Sequence, residues 1–242
     1  MYMKKLLALA ALSLAAFSFF SCDSENALSY GLTDICNVVD GQLITDDGLK
    51  YNITEYKAEG KIDTVSRAYI SFDLLNKTEG AVSEYDIRLN SFGSVKIKKA
   101  IDMSNAGMDD MGVDGVNIFQ GWVSGPYMNM QIQYTAKAGS KTKHAYSLVF
   151  NDRVDNTDTL HFRLMHNAFG ESFDNTDIPS SNIVLVNEMV SFDISKYLAP
   201  VGDAIILNFK WDWFKNEGGY LSQEKEAYNE DLLYVKKTAA KN

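Results

Sequence analysis

Apolar and polar residues alternate with a period of two through most of the chain after residue 30. Successive side chains of a strand point to opposite faces, so this alternation predicts strands with one buried and one solvated face. The turn Asp46-Asp47-Gly48 has the composition of a β-hairpin. In the first half the strand-like runs are 49–56, 65–74, 84–89 and 94–98. Short strands joined by such turns predict a small OB-like barrel, with a compact sandwich as the alternative.

Residues 101–117 interrupt this pattern. Gly107, Gly112 and Gly115 are mixed there with aspartates, and the segment has few apolar residues other than methionine. That composition is typical of a linker. The runs that follow are 118–123, 127–134, 145–150, 159–165, 189–194 and 204–213. They predict an antiparallel β-sandwich, and residues 219–236 fit either a short helix or a last strand.

The chain is therefore predicted to be all-β, with a small OB-like barrel followed by an antiparallel β-sandwich. Its apolar content of 46% and aromatic content of 12% exclude disorder as a description of the whole. The predicted boundaries are a signal peptide at 1–21, a tether at 22–30, the barrel domain at 31–105, a linker at 106–117 and the sandwich domain at 118–242.

The first 22 residues predict export. Lys4 and Lys5 precede the mostly apolar run 6–20, which is too short to span a bilayer comfortably. Cys22 follows the small residue Ser21, and acidic residues begin directly after it. This order resembles the lipobox of bacterial lipoproteins, in which the cysteine is lipidated and the leader is cleaved before it. Ordinary secretion with a cut after Ser21 and no lipid is the alternative.

Charge and cysteine content narrow the possible partners. Loss of the leader removes Lys4 and Lys5 and changes the net charge from −9 to −11. Such an acidic chain lacks the clustered cations that bind phosphates, which argues against nucleic acid as a partner. Cys36 then has no second cysteine for an intramolecular disulfide. Its strand-like surroundings contain no adjacent base, so we expect a buried, structural thiol.

Several longer segments together resemble one family. The lipobox leader, the Asp-Gly turn with Tyr51–Tyr56, the run 122–134 with His144, and the segments 160–167 and 190–194 resemble the NigD-like lipoproteins of Gram-negative bacteria. The resemblance covers nearly all of the mature chain. It implies an OB-like N-terminal domain, a C-terminal β-sandwich and a role in bacteriocin immunity. With the lipobox, it implies a lipid-anchored protein of the cell envelope, at the outer membrane.

Residues that could carry metal chemistry are few. His144, His161 and His166 could ligate zinc or copper, but His161 and His166 would point to opposite faces of one strand. The acidic turns 155–158 and 174–177 could offer oxygen ligands to calcium, yet neither follows the EF-hand pattern and Asx turns explain them. We therefore predict no metal site and no cofactor.

Signatures of catalysis are also missing from the sequence. It contains no phosphate-binding loop, no Gly-x-Ser-x-Gly elbow and no His-Glu-x-x-His motif. We therefore predict a protein that is not an enzyme.

Aromatic residues are the candidate binding residues, namely Trp122, Tyr127, Trp211 and Trp213. Trp211 and Trp213 are two positions apart on one strand, so they share a face that is either in the core or exposed. Exposed rings could anchor a protein partner or stack on sugars. The leading hypothesis is a lipoprotein that binds a protein, for example a toxin. The alternative is a surface glycan-binding lipoprotein.

Two threonines are candidate modification sites. Thr64 and Thr159 each follow an aspartate and precede an aliphatic residue. These triplets resemble the acceptor of O-glycosylation found in the same group of bacteria. A glycan on either threonine would have to lie on the surface, because a bulky sugar cannot be buried.

The lipobox interpretation makes a direct prediction for the variant Cys22→Ala. Without the thiol no lipid can be attached, so the protein should be released into soluble fractions or accumulate as the uncleaved precursor. Detergent partitioning and the intact mass of the exported chain measure this outcome. Recovery of the variant in detergent at the mass of a cleaved, lipidated chain would contradict the prediction.

Overall fold

The computed structural model describes residues 29–77, 80, 83–105, 111–151 and 158–236. The predicted signal peptide, Cys22 and all but the last two residues of the predicted tether lie outside these ranges, as do residues 106–110 of the predicted linker and most of the acidic turn 155–158. Within the described ranges, no helix has the length and apolar character that a bilayer crossing requires.

Among the described residues, five strands form a closed barrel with the order β1-β2-β3-β5-β4. They are β1 (Ser29–Val39), β2 (Gln42–Thr45), β3 (Lys50–Tyr56), β4 (Arg67–Lys77) and β5 (Glu84–Ser94). The predicted hairpin turn connects β2 to β3, and Gly48 there has a φ of 84°, which a residue with a Cβ rarely adopts. Strands β3 and β5 pair in parallel, which closes the barrel.

The barrel interior is filled by the apolar residues that alternate with polar ones along its strands and point inward. Cys36, Leu43, Ile70, Ile87 and Leu89 are completely buried there. Burial raises the pKa of the Cys36 thiol, so the thiolate is disfavoured and the cysteine packs as a small apolar residue.

The other described strands form two sheets packed face to face. One sheet has the order β14-β13-β11-β10-β7 and the other has the order β6-β12-β9-β8. The strands of the first sheet are β7 (Ile101–Asp102), β10 (Ala145–Phe150), β11 (Thr159–Asn167), β13 (Ala204–Glu217) and β14 (Tyr220–Val235). Those of the second sheet are β6 (Lys96–Lys99), β8 (Val116–Ser124), β9 (Tyr127–Lys137) and β12 (Ile183–Asp193). One helical turn, α1 (Ser195–Leu198), follows β12, and 3-10 turns lie at Ile62–Thr64, Met103–Asn105 and Ser180–Asn182.

The predicted fold class is confirmed: the chain is all-β, with a barrel followed by a sandwich. The sandwich is mainly antiparallel, but the pairs β6–β12, β7–β10 and β11–β13 are parallel. The sequence assigned β6 and β7 to the barrel domain, whereas they pair with strands of the sandwich. Period-two alternation identifies a strand without identifying its neighbours, because that choice is made by contacts distant in sequence. Residues 220–235 form a strand, not a helix.

The glycines of the predicted linker that the structure describes are packed closely against the sandwich. A Cβ on Gly115 would lie 2.6 Å from the ring of Phe214, and one on Gly112 would lie 2.5 Å from the carbonyl oxygen of His166. Real Cβ atoms do not approach so closely, and Gly112 also has a φ of 67°. These two glycines therefore permit close approach of the backbone to the sandwich, in place of the flexibility that a linker would need.

The aromatic face of β13 points into the sandwich core. Trp211 and Trp213 are each 6% exposed. The ring of Trp211 stacks on that of Tyr228 with 5.8 Å between centroids, and Phe209 stacks on Phe162 at 5.4 Å. The two tryptophans proposed from sequence as binding residues are therefore core residues, because their shared face is covered by the opposite sheet.

The variant Trp213→Ala should lose about 3–5 kcal/mol of unfolding free energy, since it removes a large buried side chain and leaves a cavity. Urea denaturation of the soluble chain measures the loss. Tyr220→Ala is the matched control, because Tyr220 is 81% exposed on β14 and should change stability by less than about 0.5 kcal/mol. Equal stabilities of the two variants would show that Trp213 does not support the core.

Candidate functional site

A cleft of about 560 Å³ lies where the barrel meets the sandwich. It is lined by Asp46 and Asp47 of the β2–β3 turn, by residues 121–125 of β8 and its turn, and by residues 232–235 of β14. Within the described part of the chain, β8 and β14 are edge strands of different sheets. This junction cleft therefore lies on the side of the sandwich where two strand edges are available.

Trp122 projects from the outer face of the β8 sheet. It pairs with Asn129, which pairs with Ser191 on the next strand. Residues directly opposite each other place their side chains on the same face, and Asn129 and Ser191 both contact the barrel residue Arg67. Trp122 therefore lies beside the barrel, half-buried, and not in the sandwich core.

Arg67 joins the two domains beneath the junction cleft. Its side chain is completely buried, and two of its nitrogens donate to the carboxylate oxygens of Asp46 at 2.7 and 2.6 Å. A further pair of hydrogen bonds crosses to the sandwich, from Nε to Ser191 Oγ at 2.8 Å and from Nη2 to Asn129 Oδ1 at 3.1 Å. Asn37 Oδ1 accepts a bond from Nη1 at 2.8 Å.

Sandwich residues also bind the carboxylate of Asp46. Ser124 Oγ donates to Asp46 Oδ2 at 2.5 Å and accepts a hydrogen bond from Asn129 Nδ2 at 2.8 Å. Gly125 has a φ of 51° and lies so close that its Cβ would be 3.1 Å from the Cβ of Asp46. A buried ion pair is costly unless hydrogen bonds satisfy it, and here both domains supply them. The floor of the junction cleft is therefore held in one geometry.

The chemistry available in this cleft favours binding. The Ser124 hydroxyl lies next to the Asp46 carboxylate, but both oxygens of that carboxylate already accept hydrogen bonds from Arg67. Leu233 and Val235 are 71% and 58% exposed on the β14 side. The cleft thus combines a fixed polar floor with apolar groups at its rim, an arrangement suited to contact with another molecule.

Two of the four candidate aromatic residues meet at this junction. The ring of Tyr127 lies with its centroid 4.2 Å from the guanidinium carbon of Arg67, within range of a cation–π contact. Trp122 lines the cleft next to it. Trp211 and Trp213 lie in the core, as described above.

The two candidate glycosylation sites differ in accessibility. Thr64 ends a 3-10 turn, is exposed, and donates its hydroxyl to the Lys61 carbonyl at 2.7 Å. Thr159 is half-buried and pairs with Ile206 in the sheet. Glycosylation of either residue stays a prediction, and the surroundings of Thr64 suit a bulky sugar better.

His161 and His166 point to opposite faces of β11, as their spacing predicts. On β11, His166 is completely buried in the sandwich interior, while His161 faces outward and contacts Asn208 at 3.3 Å. No metal-binding group of three or more His, Cys, Asp or Glu residues occurs in the described ranges. In the acidic turn that is described, Asn175 Oδ1 accepts the Asp177 N–H at 3.0 Å, which is an Asx turn.

Sequence reasoning missed Arg67, Asn129 and Ser191. Each lies on the outer face of its own sheet, opposite the residues that fill the core. Such positions normally face water, so a polar residue there does not indicate from the sequence that it will be buried. They become buried only because the barrel packs on the outer face of the β8 sheet.

Fold and site together define an all-β protein in which a closed barrel packs against a two-sheet sandwich, with a cleft at their junction. Residues 99–223 match the model of the NigD-like C-terminal β-sandwich domain, and the chain belongs to the NigD-like family. No curated protein matches it.

Several solved structures have a similar fold. A protein of unknown function from Bacteroides vulgatus is 22% identical, with a TM-score of 0.57 over 86% of this chain and 92% of that one. A proposed toxin-related protein from Parabacteroides distasonis is 21% identical, with a TM-score of 0.56 over 84% and 93%. A NigD-like immunity protein from Bacteroides caccae is 17% identical, with a TM-score of 0.55 over 88% and 99%. At these identities the similarity establishes the fold.

The variant Arg67→Met should destabilise the protein by about 3–5 kcal/mol, because it leaves the buried Asp46 carboxylate without its counter-charge. The double variant Arg67→Met/Asp46→Asn should recover part of that loss, since no charge is then buried. Urea denaturation measures both values. Lys215→Met is the control: its partner Glu224 is 71% exposed, so no measurable change is expected. If Arg67→Met were as stable as the wild type, the ion pair would have no structural role.

Proposed function

We propose that this chain is a non-catalytic lipoprotein of the Gram-negative cell envelope that binds a protein partner at the junction cleft. Lipidation at Cys22 anchors it, at the outer membrane. The observation that carries the proposal is the apolar rim, which we define as Trp122, Leu233 and Val235. Two strongly exposed aliphatic side chains lie there beside a half-buried tryptophan.

The apolar rim has the physical properties of a protein-binding hot spot. Tryptophan is enriched among the residues that dominate binding energies, and it acts best where neighbouring groups exclude water. The floor beneath the rim is fixed by the bonds of Arg67 and Asp46, so little ordering is needed when a partner binds. Preorganisation of this kind increases affinity without additional contact area.

Strand edges next to the rim offer a second mode of contact. Strand β14 is 16 residues long and pairs with β13 on one side. An extended segment of a partner can add to such an edge through backbone hydrogen bonds. Because Glu226 and Glu230 lie along β14, a segment with positive charges fits this edge better than a second copy of the strand.

The comparisons support a protein as partner. The neighbour from Bacteroides caccae is a NigD-like immunity protein, and that from Parabacteroides distasonis is a proposed toxin-related protein. Immunity against a protein toxin is the form of binding that we propose. The alternative ligand is a glycan, but the tryptophan pair that would stack on sugars is only 6% exposed. Glycan binding therefore becomes an outcome of the test below.

A photo-crosslinking residue at position 233 of the lipidated protein should trap a protein partner in the native envelope. The same probe at position 185 is the control, since Leu185 is 50% exposed on β12.

Once the partner has been purified, the variant Leu233→Asp should bind it with a Kd that is higher by about 30-fold or more, corresponding to about 2 kcal/mol. The reason is that a charge would be buried in the interface. Calorimetry measures both affinities, and the Kd of the control variant Leu185→Asp should equal that of the wild type.

Thermal melts of both variants establish that they are folded. Equal affinities of Leu233→Asp and Leu185→Asp would contradict the assignment of the rim. Trapping of polysaccharide at position 233, with competition by the free glycan, would favour the alternative function.

A further inference from the structure

Polar side chains occupy the end of the sandwich interior that is remote from the barrel. Tyr134 lies on β9 five residues beyond Asn129, and its ring is 4.8 Å from that of His144 and 5.1 Å from that of His166. His166 is completely buried, and the side chain of His144 is 2% exposed. Neither histidine lines the junction cleft.

The two histidines lie in one continuous chain of hydrogen-bonding atoms. His166 Nδ1 is 3.0 Å from the carbonyl oxygen of Gly115, and His166 Nε2 is 3.0 Å from His144 Nδ1. His144 Nε2 is 3.5 Å from Glu171 Oε2. Both ends of this chain are acceptors, because a carbonyl and a carboxylate carry no proton to donate.

The number of protons along the chain shows which charge a complete set of hydrogen bonds requires. A proton is required on His166 Nδ1 for Gly115, another on His144 Nε2 for Glu171, and a third between the two rings. Two neutral imidazoles carry only two protons. All three contacts can be hydrogen bonds only when the histidine pair holds one extra proton and a single positive charge.

We propose that His144 and His166 share this third proton at neutral pH, and that the resulting cation, paired with Glu171, is a pH-sensitive clasp between two loops. We call His144, His166 and Glu171 the histidine clasp. It is complete only while the third proton is present.

The loops that the clasp connects are the β9–β10 turn and the segment after β11. Glu171, from the segment after β11, accepts hydrogen bonds from Ser140 Oγ and from the Lys137 N–H, both on the β9–β10 side. The same segment contains Phe169, which is 57% exposed and has a φ of 50°, a conformation unfavourable for a residue with a Cβ. Loss of the clasp would remove one of the contacts that hold these two segments together, and would loosen both segments and the position of Phe169.

Burial and the neighbouring imidazole disfavour a second positive charge on the pair. Burial, followed by the charge of His144, lowers the pKa of His166 to about 4, against smaller opposing effects of Asp114, the Gly115 carbonyl and Glu188. A fourth proton would place an N–H on both His144 Nδ1 and His166 Nε2, so that two donors would face each other. The lowered pKa of His166 excludes this state except at strongly acidic pH. Glu188 is already bonded by the hydroxyls of Tyr134 and Tyr146 and by Lys96, and Asp114 accepts the Ala168 N–H at 2.7 Å.

Glu171 stays ionised over the same range. Burial alone would raise its pKa, but hydrogen bonds from Ser140, Thr142, the Lys137 N–H and His144 lower the pKa of Glu171 to about 2. The clasp is therefore expected above about pH 4, where His166 no longer takes a further proton. It is lost at higher pH as the third proton leaves, because the closed state holds that proton more firmly than an open state does.

The direct test is ¹⁵N NMR of the folded chain with labelled histidine, titrated from acidic to alkaline pH. At neutral pH we expect both ring nitrogens of His144 to be protonated and His166 to be protonated at Nδ1 only. Amide exchange of Ser140 and Glu171 should accelerate beyond its intrinsic rate as pH rises, by up to tenfold per pH unit in the range where opening releases one proton. The Ile194 amide, bonded to Pro126 at the barrel end, is the internal control.

A pair of variants distinguishes the effect of the histidine clasp from an effect on the stability of the whole protein. Glu171→Gln keeps the size of the side chain but removes its charge, so the third proton should be lost and Ser140 should exchange rapidly at neutral pH. His161→Gln, on the outer face of β11, should leave both readouts unchanged. Two ring protons on the pair at neutral pH, or exchange at Ser140 and Glu171 that does not depend on pH beyond the intrinsic rate, would overturn the proposal. The wild-type titration decides the question even if Glu171→Gln fails to fold.

Discussion

The buried ion pair between Arg67 and Asp46 is the constraint on which the junction of the two domains depends. A guanidinium with no exposed surface must have its donors satisfied, and the acceptors come from both domains. Moving the barrel relative to the sandwich would break several of these bonds at once and leave a charge without a partner. The same residues form the floor of the junction cleft, so the interaction that orients the domains also fixes the geometry offered to a partner.

The two ends of the sandwich use polar residues in different ways. At the barrel end, the donors and acceptors around Arg67 complete one another without an added proton. At the other end, the chain from Gly115 to Glu171 is complete only with a proton taken from solvent. A protein that presents a fixed cleft at one end can thus change the mobility of its loops at the other.

Aromatic residues divide between core and surface according to which face of each sheet is covered. Trp211 and Trp213 fill the space between the sheets, while Trp122 lies on an outer face beside the barrel. All three occur in similar alternating strands. Their different roles follow from the packing of the second domain on one outer face, which leaves the ring at the edge of that contact accessible to a partner.

The sequence by itself determined that the chain is all-β, that a barrel precedes a sandwich, that Cys36 is buried and that His161 and His166 face opposite ways. Local alternation and turn composition are enough for these properties, because they depend on which side of a strand each residue occupies. The tertiary structure alone decided that β6 and β7 join the sandwich, that Gly112 and Gly115 pack against it, and that the outward-facing Arg67, Asn129 and Ser191 become buried at the junction. Those outcomes depend on contacts between residues far apart in the chain, and a local pattern records which face a residue occupies but not what comes to cover it.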